Sequence, residues 1–223
     1  MSLSDWHNKF GGRYWRVTSE GIETKDSGYL RSRGKPTTMM TLWEDFGEEI
    51  YYASKELNVP ADMIAAMIPI EAVRDSEGHY DPKSLRLEPG YTSDANTPHR
   101  VSPGLMQTLI STAKSMARKY DLIEEDKVTR ELLFEPHYSI LLGGAYIAHQ
   151  IDKYGPDPVL ICSGYNAGSV RKTSRNPWHL IAYGATRIDR YVQWFNDFHA
   201  ATRDGLVELP DDIVLSLIHM KDI

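Results

Sequence analysis

The sequence predicts an α+β domain that is mostly α-helical, with a long irregular loop or small β region near its middle. Apolar residues recur at intervals of three and four in several stretches, which is the pattern of helices that pack one face on a core. Residues 72–102 lack this pattern and are rich in polar residues and turn signals, and within them we expect short strands around His79-Tyr80 and over Ser84–Leu87. The 223 residues fit one domain, and they contain no internal repeats.

The composition narrows the class of protein. A content of 41% apolar and 25% charged residues is typical of a soluble globular domain. The formal net charge of −6 argues against binding to nucleic acid. The single cysteine, Cys162, excludes an intramolecular disulfide, and the eight histidines show no close metal-ligand spacing. We therefore expect neither a metal nor another cofactor.

The first part of the chain predicts an arm followed by a helix. Residues 1–40 are rich in Gly, Ser, Arg and aromatic residues, so we expect an irregular N-terminal arm packed on the domain, with one short strand over Tyr14–Thr18. The pattern Thr-Leu-Trp-Glu that begins at Thr41 is a capping box and predicts a helix to about Leu57. The main domain would then span residues 41–203. Residues 204–223 would form a C-terminal tail with a short helix over 213–219.

The stretch Ala61–Glu71 predicts a buried helix that ends in a carboxylate. Pro60 opens the stretch, and apolar residues at 3–4–3 spacing give it one apolar face. Pro69 removes a hydrogen bond from the last turn. A carboxylate at the end of a buried helix loses hydration, which raises its pKa toward the range of a general acid. Glu71 is therefore a candidate catalytic acid, and the alternative is a carboxylate that only ends the helix and points into water.

Five helices and a loop are predicted after residue 102. Asp157 and Pro158 have the N-cap and first-turn chemistry of a helix start, and Gly155 follows the end of the preceding helix. The predicted elements are helices from about Ser111 to Tyr120, Asp126 to Phe134, Pro136 to Tyr154, Pro158 to Gly168 and Ile188 to Phe198, with a loop over 169–184.

Several motifs occur in the order and at the approximate spacing of a known family. They are the Ala-x-x-x-x-Glu stretch Ala66–Glu71, the Gly-Leu-Met-Gln turn Gly104–Gln107, Thr112-Ala113, the Tyr-Asn-Ala-Gly stretch Tyr165–Gly168, and the pair Tyr191-Val192. On these motifs the chain resembles the soluble lytic transglycosylases and the goose-type lysozymes, over roughly residues 45–198. The resemblance implies a lysozyme-like (lytic transglycosylase) domain.

The resemblance also implies an activity. Such an enzyme would cleave the β-1,4 bond between N-acetylmuramic acid and N-acetylglucosamine in peptidoglycan. Glu71 would give a proton to the leaving oxygen and then take one from the 6-hydroxyl, so that the product carries a 1,6-anhydro ring. This scheme needs one carboxylate, because the N-acetyl group of the substrate assists at the anomeric carbon. The expected contacts with the sugar come from Ser102, Gln107, Tyr165, Asn166 and Tyr191.

Glu77 is a rival for the role of the acid. The family usually has Ser after the glutamate and an aromatic residue and a proline soon afterwards, whereas Ala72 follows Glu71 here. Tyr80 and Pro82 fit that pattern better if it is counted from Glu77. We prefer Glu71, because the buried helix that leads to it would remove water from its carboxylate and raise its pKa. Glu77 lies in a Gly-rich loop, where its carboxylate would stay hydrated.

Other readings of the same residues stay open. A hydrolase of the lysozyme or endolysin type would need a second carboxylate, and the long loop offers Glu77, Asp81, Glu88 and Asp94, none of which we assign. Chitin is an alternative substrate, and a non-catalytic glycan-binding or structural protein is the alternative outside enzymes.

The expected partner is a peptidoglycan glycan strand, bound by a monomer without a membrane span. No signal peptide is visible. We therefore expect synthesis in the cytoplasm and action on the cell wall after release, after injection or as part of a virion, or else a chain shown without its leader.

Overall fold

Helices dominate the described part of the chain, and the strands in this part form two small antiparallel sheets. The computed structural model describes residues 2–216. The strands are β1 (Trp15–Thr18), β2 (Gly21–Thr24), β3 (Gly28–Tyr29), β4 (Leu85–Leu87) and β5 (Val101–Pro103). The α-helices are α1 (Thr37–Leu57), α2 (Ala61–Glu71), α3 (Ile110–Lys119), α4 (Arg130–Phe134), α5 (Pro136–Tyr154), α6 (Pro158–Ala167) and α7 (Arg187–Arg203). The predicted mostly α class is confirmed.

Helix α2 lies at the centre of the core. All of its residues are buried, and it packs against α7, α1 and α5. Pro60 precedes its first residue, as predicted, and Pro69 lies inside its last turn. That turn still closes, because the backbone N–H of Ala72 donates to the carbonyl of Ile68. The helix therefore holds the backbone of Glu71 firmly at its end.

The N-terminal arm is more regular than predicted. We expected one strand over Tyr14–Thr18, whereas the arm forms the three-stranded antiparallel sheet β1-β2-β3. Gly21 and Gly28 have φ values of +117° and +64°, which favour glycine, and each begins a strand directly after a turn. The side chain of Asn196 in α7 bonds both the N–H and the carbonyl of Ile22, and this attaches the sheet to the helices.

The capping-box prediction for the first helix was wrong. Helix α1 begins at Thr37 rather than Thr41, its N-cap is Pro36, and no side chain among residues 2–216 caps it. Met39 is completely buried in the core, and its burial favours an earlier helix start than the local pattern indicates. The helix is kinked at Phe46, where φ is −138°.

The long segment 72–102 contains a hairpin and a tight turn. Strands β4 and β5 pair antiparallel, with Arg86 opposite Ser102. The turn is organised by Asp75, whose Oδ1 accepts hydrogen bonds from the backbone N–H groups of three following residues, Glu77, Gly78 and His79. The strand predicted near Leu85 is therefore present. The strand expected near His79 and Tyr80 is reduced to a single bridge between Arg74 and Tyr80.

The later helices lie close to their predicted positions. Asp157 caps α6, since its side chain accepts from the N–H groups of Val159 and Leu160. The helix expected over residues 126–134 is instead split into a 3-10 turn, Glu125–Lys127, and the short helix α4. Thr129 caps α4 by accepting from the N–H of Leu132, and this cap sets its start.

The C-terminal helix predicted over 213–219 is only partly covered by the described residues: residues 213–215 are not helical, and residues 217–219 lie outside the described part of the chain. The division into 1–40, 41–203 and 204–223 stays a prediction. Within residues 2–216, no helix combines the length and the apolar character that crossing a membrane requires.

Candidate active site

One cleft of about 690 Å³ brings most of the predicted motifs together. Its walls come from the end of α2, the β4–β5 hairpin, the turn after β5, helices α3 and α5, the end of α6 and the segment that leads into the start of α7. The residues that line it include five of the six predicted site residues: Glu71, Ser102, Gln107, Tyr165 and Asn166. It is also lined by Arg86, Glu88, His99, Tyr146, Tyr183 and Arg187.

Glu71 is a buried carboxylate whose pKa is strongly shifted. Burial raises the pKa of Glu71 to about 7, against the opposing effects of the positive charges of Arg187 and Arg86. A carboxyl group with this pKa holds a proton on a substantial fraction of molecules at neutral pH. The site therefore supplies the ionisation behaviour that a general acid needs.

Arg187 is the residue at this site that sequence reasoning missed. It begins α7, and its Nη1 forms an ion pair with Oε1 of Glu71. Its Nε donates to the carbonyl oxygen of Tyr183 at 3.1 Å. The two members of the ion pair are 116 residues apart in the chain, so no local pattern connects them.

Glu77 lies outside this cleft. Its side chain is exposed, and its backbone N–H belongs to the turn around Asp75. The lining residues of the cleft include Glu71 and not Glu77. The preference for Glu71 as the acid thus agrees with the position of the two side chains, while the role itself stays a prediction.

Gln107 and Ser102 line the cleft, but their side chains form hydrogen bonds with each other and with nearby backbone carbonyls. The amide of Gln107 donates to the carbonyls of Ser84 and Gly104 at 3.0 and 2.9 Å, and its Oε1 accepts from the hydroxyl of Ser102 at 3.4 Å. Gln107 also has a φ of +46°, in the left-handed region. These contacts connect the turn after β5 with the hairpin, so Gln107 fixes the cleft wall.

Tyr165 and Asn166 differ in whether their polar groups are already hydrogen-bonded to the protein or can contact a ligand. The hydroxyl of Tyr165 donates to the carbonyl of Met106 and bonds the hydroxyl of Thr108, so its polar end is committed to the protein. Asn166 accepts a hydrogen bond from the N–H of Tyr183 at its Oδ1. Its Nδ2 makes no hydrogen bond within residues 2–216, and this amide is therefore the better candidate for a contact with a sugar.

Tyr191 does not face the cleft, and that prediction was wrong. Its side chain is 0% exposed and packs in the hydrophobic core of the domain, beside Phe195 of the same helix. Its hydroxyl has no hydrogen-bond partner in the part of the chain that the structure describes. Tyr191 lies three residues after Ile188 and four before Phe195, which is the spacing of one helical face. All three residues therefore lie on the buried face of α7.

The chain is similar in sequence or structure to several known proteins. The family model described as the transglycosylase SLT domain matches residues 50–182. A Haemophilus influenzae protein, named provisionally as a soluble lytic murein transglycosylase, is 37% identical over 89 residues, which are 40% of this chain and 14% of that protein. The X-ray structure of an inactive mutant of the lytic transglycosylase Slt from Pseudomonas aeruginosa matches with a TM-score of 0.47 and 20% identity. That match covers 72% of this chain and 24% of the other.

The chain thus spans a small part of the length of these two proteins. The family model, in contrast, matches more than half of the chain, and the matched residues run from within α1 to the loop after α6, a region that includes Glu71 and Asn166. On that match the chain belongs to the transglycosylase SLT domain family.

Proposed function

We propose that this chain is a lytic transglycosylase that cleaves the β-1,4 bond between N-acetylmuramic acid and N-acetylglucosamine in the glycan strands of peptidoglycan. The cell wall would be its site of action. The observation that carries the proposal is Glu71, a buried carboxylate with a pKa of about 7 that lines a cleft of a transglycosylase SLT domain together with residues of the motifs Gly104–Gln107 and Tyr165–Gly168.

Glu71 would act first as an acid. Cleavage of a glycosidic bond requires a proton on the departing oxygen while positive charge develops at the anomeric carbon. The protonated form of Glu71 has this proton to give. Burial favours the uncharged form, so the cleft supports protonation at a pH where an exposed glutamate would be ionised.

The same residue would then act as a base. In the proposed scheme the N-acetyl group of the substrate assists at the anomeric carbon, and the Glu71 carboxylate takes a proton from the 6-hydroxyl as the 1,6-anhydro ring closes. The Nδ2 group of Asn166 is placed in the same cleft and would donate a hydrogen bond to the acetamido oxygen. One carboxylate completes both proton transfers.

A hydrolase is the second candidate, and one observation favours it. Four carboxylates of the long segment were open as a second acid or base, and among them Glu88 lines the cleft with Glu71, whereas Glu77, Asp81 and Asp94 do not. Glu88 follows β4, where its carboxylate would hold or activate a water molecule. Water would then replace the 6-hydroxyl as the attacking group.

Mass spectrometry of the products separates the two candidates. Purified peptidoglycan would be digested with the wild-type chain, and Glu71→Gln and Glu88→Gln would serve as matched variants. Muropeptides that lack one water relative to reducing products support the transglycosylase. Reducing ends together with loss of activity in Glu88→Gln would instead support the hydrolase. Release of no soluble products would overturn both.

A further inference from the structure

A chain of contacts connects Asn166 with Glu71 through the segment that precedes α7. The Oδ1 atom of Asn166 accepts from the N–H of Tyr183 at 2.5 Å. The carbonyl of Tyr183 accepts from Nε of Arg187 at 3.1 Å, and Nη1 of Arg187 pairs with the Glu71 carboxylate. One guanidinium group therefore contacts both the backbone of the segment and the candidate acid.

The ion pair between Arg187 and Glu71, which ends this series of contacts, is almost completely buried. The side chains of Arg187 and Glu71 are 11% and 5% exposed. An ion pair with so little water around it is screened weakly, so the positive charge acts strongly on the carboxylate. The other charged or titratable groups that line the cleft or act on Glu71 are Arg86, Glu88, His99, Tyr146, Cys162, Tyr165 and Tyr183.

We propose that Arg187 is a positioning residue, which orients the Glu71 carboxylate and controls how readily Glu71 carries the proton, and that Asn166 holds Arg187 in place through the backbone of Tyr183. The proposal rests on the proposed function, in which Glu71 is the acid. Its two effects oppose each other. The ion pair fixes the direction of the carboxylate, and it also favours the ionised form, which cannot donate.

Removal of the positive charge tests the control of the proton. Proton donation requires protonated Glu71, so kcat/KM falls as the pH rises above its pKa. In Arg187→Gln the pKa of Glu71 should rise, and the alkaline limb of the kcat/KM profile should move to higher pH by about 1 to 3 pH units. Arg190→Gln is the matched control, since it removes the same charge from α7 three positions later, where Arg190 contacts the carbonyl of Pro69 at 3.4 Å. The alkaline limb of the kcat/KM profile of Arg190→Gln should stay at the wild-type pH.

Arg187→Lys tests the orientation. Lysine keeps the charge but cannot donate in the fixed fork that contacts the Tyr183 carbonyl and Glu71 together. We expect the alkaline limb to stay near its wild-type position while kcat falls. A kcat equal to that of the wild type would remove the positioning role.

A spectroscopic readout makes the test independent of turnover. The Glu71 side-chain carboxyl can be titrated by ¹³C NMR in protein labelled at glutamate, with Glu71→Gln used to assign its signal. The titration midpoint should rise in Arg187→Gln. It should also rise, by less, in Asn166→Ala, although a residue that only bound substrate would leave it unchanged.

The outcomes separate this inference from the proposed function. Equal midpoints and equal alkaline limbs in the wild type and Arg187→Gln would overturn the inference, even if the wild type produces anhydro products. If Glu71→Gln were fully active, the role of Glu71 as the acid in the proposed function would fail, and the NMR titration would still report whether Arg187 controls the protonation of Glu71. If Arg187→Gln did not fold, Arg187→Lys and Asn166→Ala would decide the question.

Discussion

The two ends of helix α2 bury a carboxylate in two different ways. Asp62 lies in the first turn and pairs with His199, and Glu71 is the last residue and pairs with Arg187. Both partners belong to α7, which runs antiparallel to α2, so each end of one helix meets the opposite end of the other. The two carboxylates differ in what surrounds them.

Asp62 is completely buried and well supplied with hydrogen-bond donors. It accepts from Nε2 of His199 at 2.9 Å, from the N–H of Met63, and from both the hydroxyl and the N–H of Ser216. The start of a helix also favours negative charge. A buried carboxylate with this many donors fixes the structure, and here it connects α2 with α7 and the residues that follow α7.

Glu71 lies at the other end, where the helix dipole disfavours negative charge. Its carboxylate has Arg187 as its hydrogen-bond partner within residues 2–216, it borders the cleft, and burial raises its pKa to about 7. Burial alone therefore does not define the environment of a carboxylate. The two sites differ in the number of hydrogen-bond donors, in the end of the helix and in whether the carboxylate borders the cleft.

The largest expected effect is on turnover at the Glu71 end. Glu71→Gln keeps the shape of the side chain but cannot donate the proton, so the rate should fall by at least the ~10²–10⁴ typical of general acid–base catalysis. The rate of release of soluble products from peptidoglycan measures it, and circular dichroism shows whether the fold is intact. A folded variant with more than about a tenth of the wild-type rate would contradict the role.

The next effect is on stability at the Asp62 end. Asp62→Ala leaves buried donors of His199 and Ser216 without their acceptor, and each such unsatisfied group costs about 1–3 kcal/mol in the free energy of unfolding. Urea unfolding measures this cost. The exposed Asp211 gives a control, since Asp211→Ala should change stability by less than about 0.5 kcal/mol.

A pH series should sharpen the contrast at Glu71. Its folded pKa of about 7 lies above the ordinary 4.5, so between pH 4.5 and 7 the folded state binds more protons than the unfolded state. The contribution of Glu71 to stability is therefore present below pH 4.5 and is lost as the pH rises to about 7, by roughly 3 kcal/mol. Urea unfolding of the wild type and Glu71→Gln at several pH values isolates this contribution. A difference between them that does not vary with pH would contradict the raised pKa.

The sequence was sufficient to predict the elements that have local signals. Pro60 and the apolar spacing located α2, and Asp157 with Pro158 located the start of α6. Glu71 was found because it ends an apolar helix. In each case the residues that determine the structure are neighbours in the chain, so a pattern read along the sequence contains the necessary information.

The errors arose where distant residues determine the structure. Arg187 reaches Glu71 only because α2 and α7 pack together, and no motif distinguishes it from Arg190 one turn later. Tyr191 is the exception, because a local signal was present: it was assigned to the cleft on family resemblance, although its spacing from Phe195 on α7 already indicated the core. The capping box at Thr41 failed because burial of residues before it extended α1.

The smallest expected effect is that of a substitution at Glu77. Its carboxylate is not buried in the core like that of Asp62, and it is not buried beside the cleft like that of Glu71. Its side chain is exposed, lies outside the cleft, and belongs to a turn that the carboxylate of Asp75 organises through backbone N–H groups. Glu77→Gln removes one charge without disturbing that turn, so activity should stay within about twofold and stability within about 0.5 kcal/mol of the wild type. Assayed beside Glu71→Gln on the same peptidoglycan, it is the matched exposed control. Loss of activity in Glu77→Gln with normal activity in Glu71→Gln would transfer the acid from the helix to the loop, because a solvated carboxylate would then be the one that gives the proton.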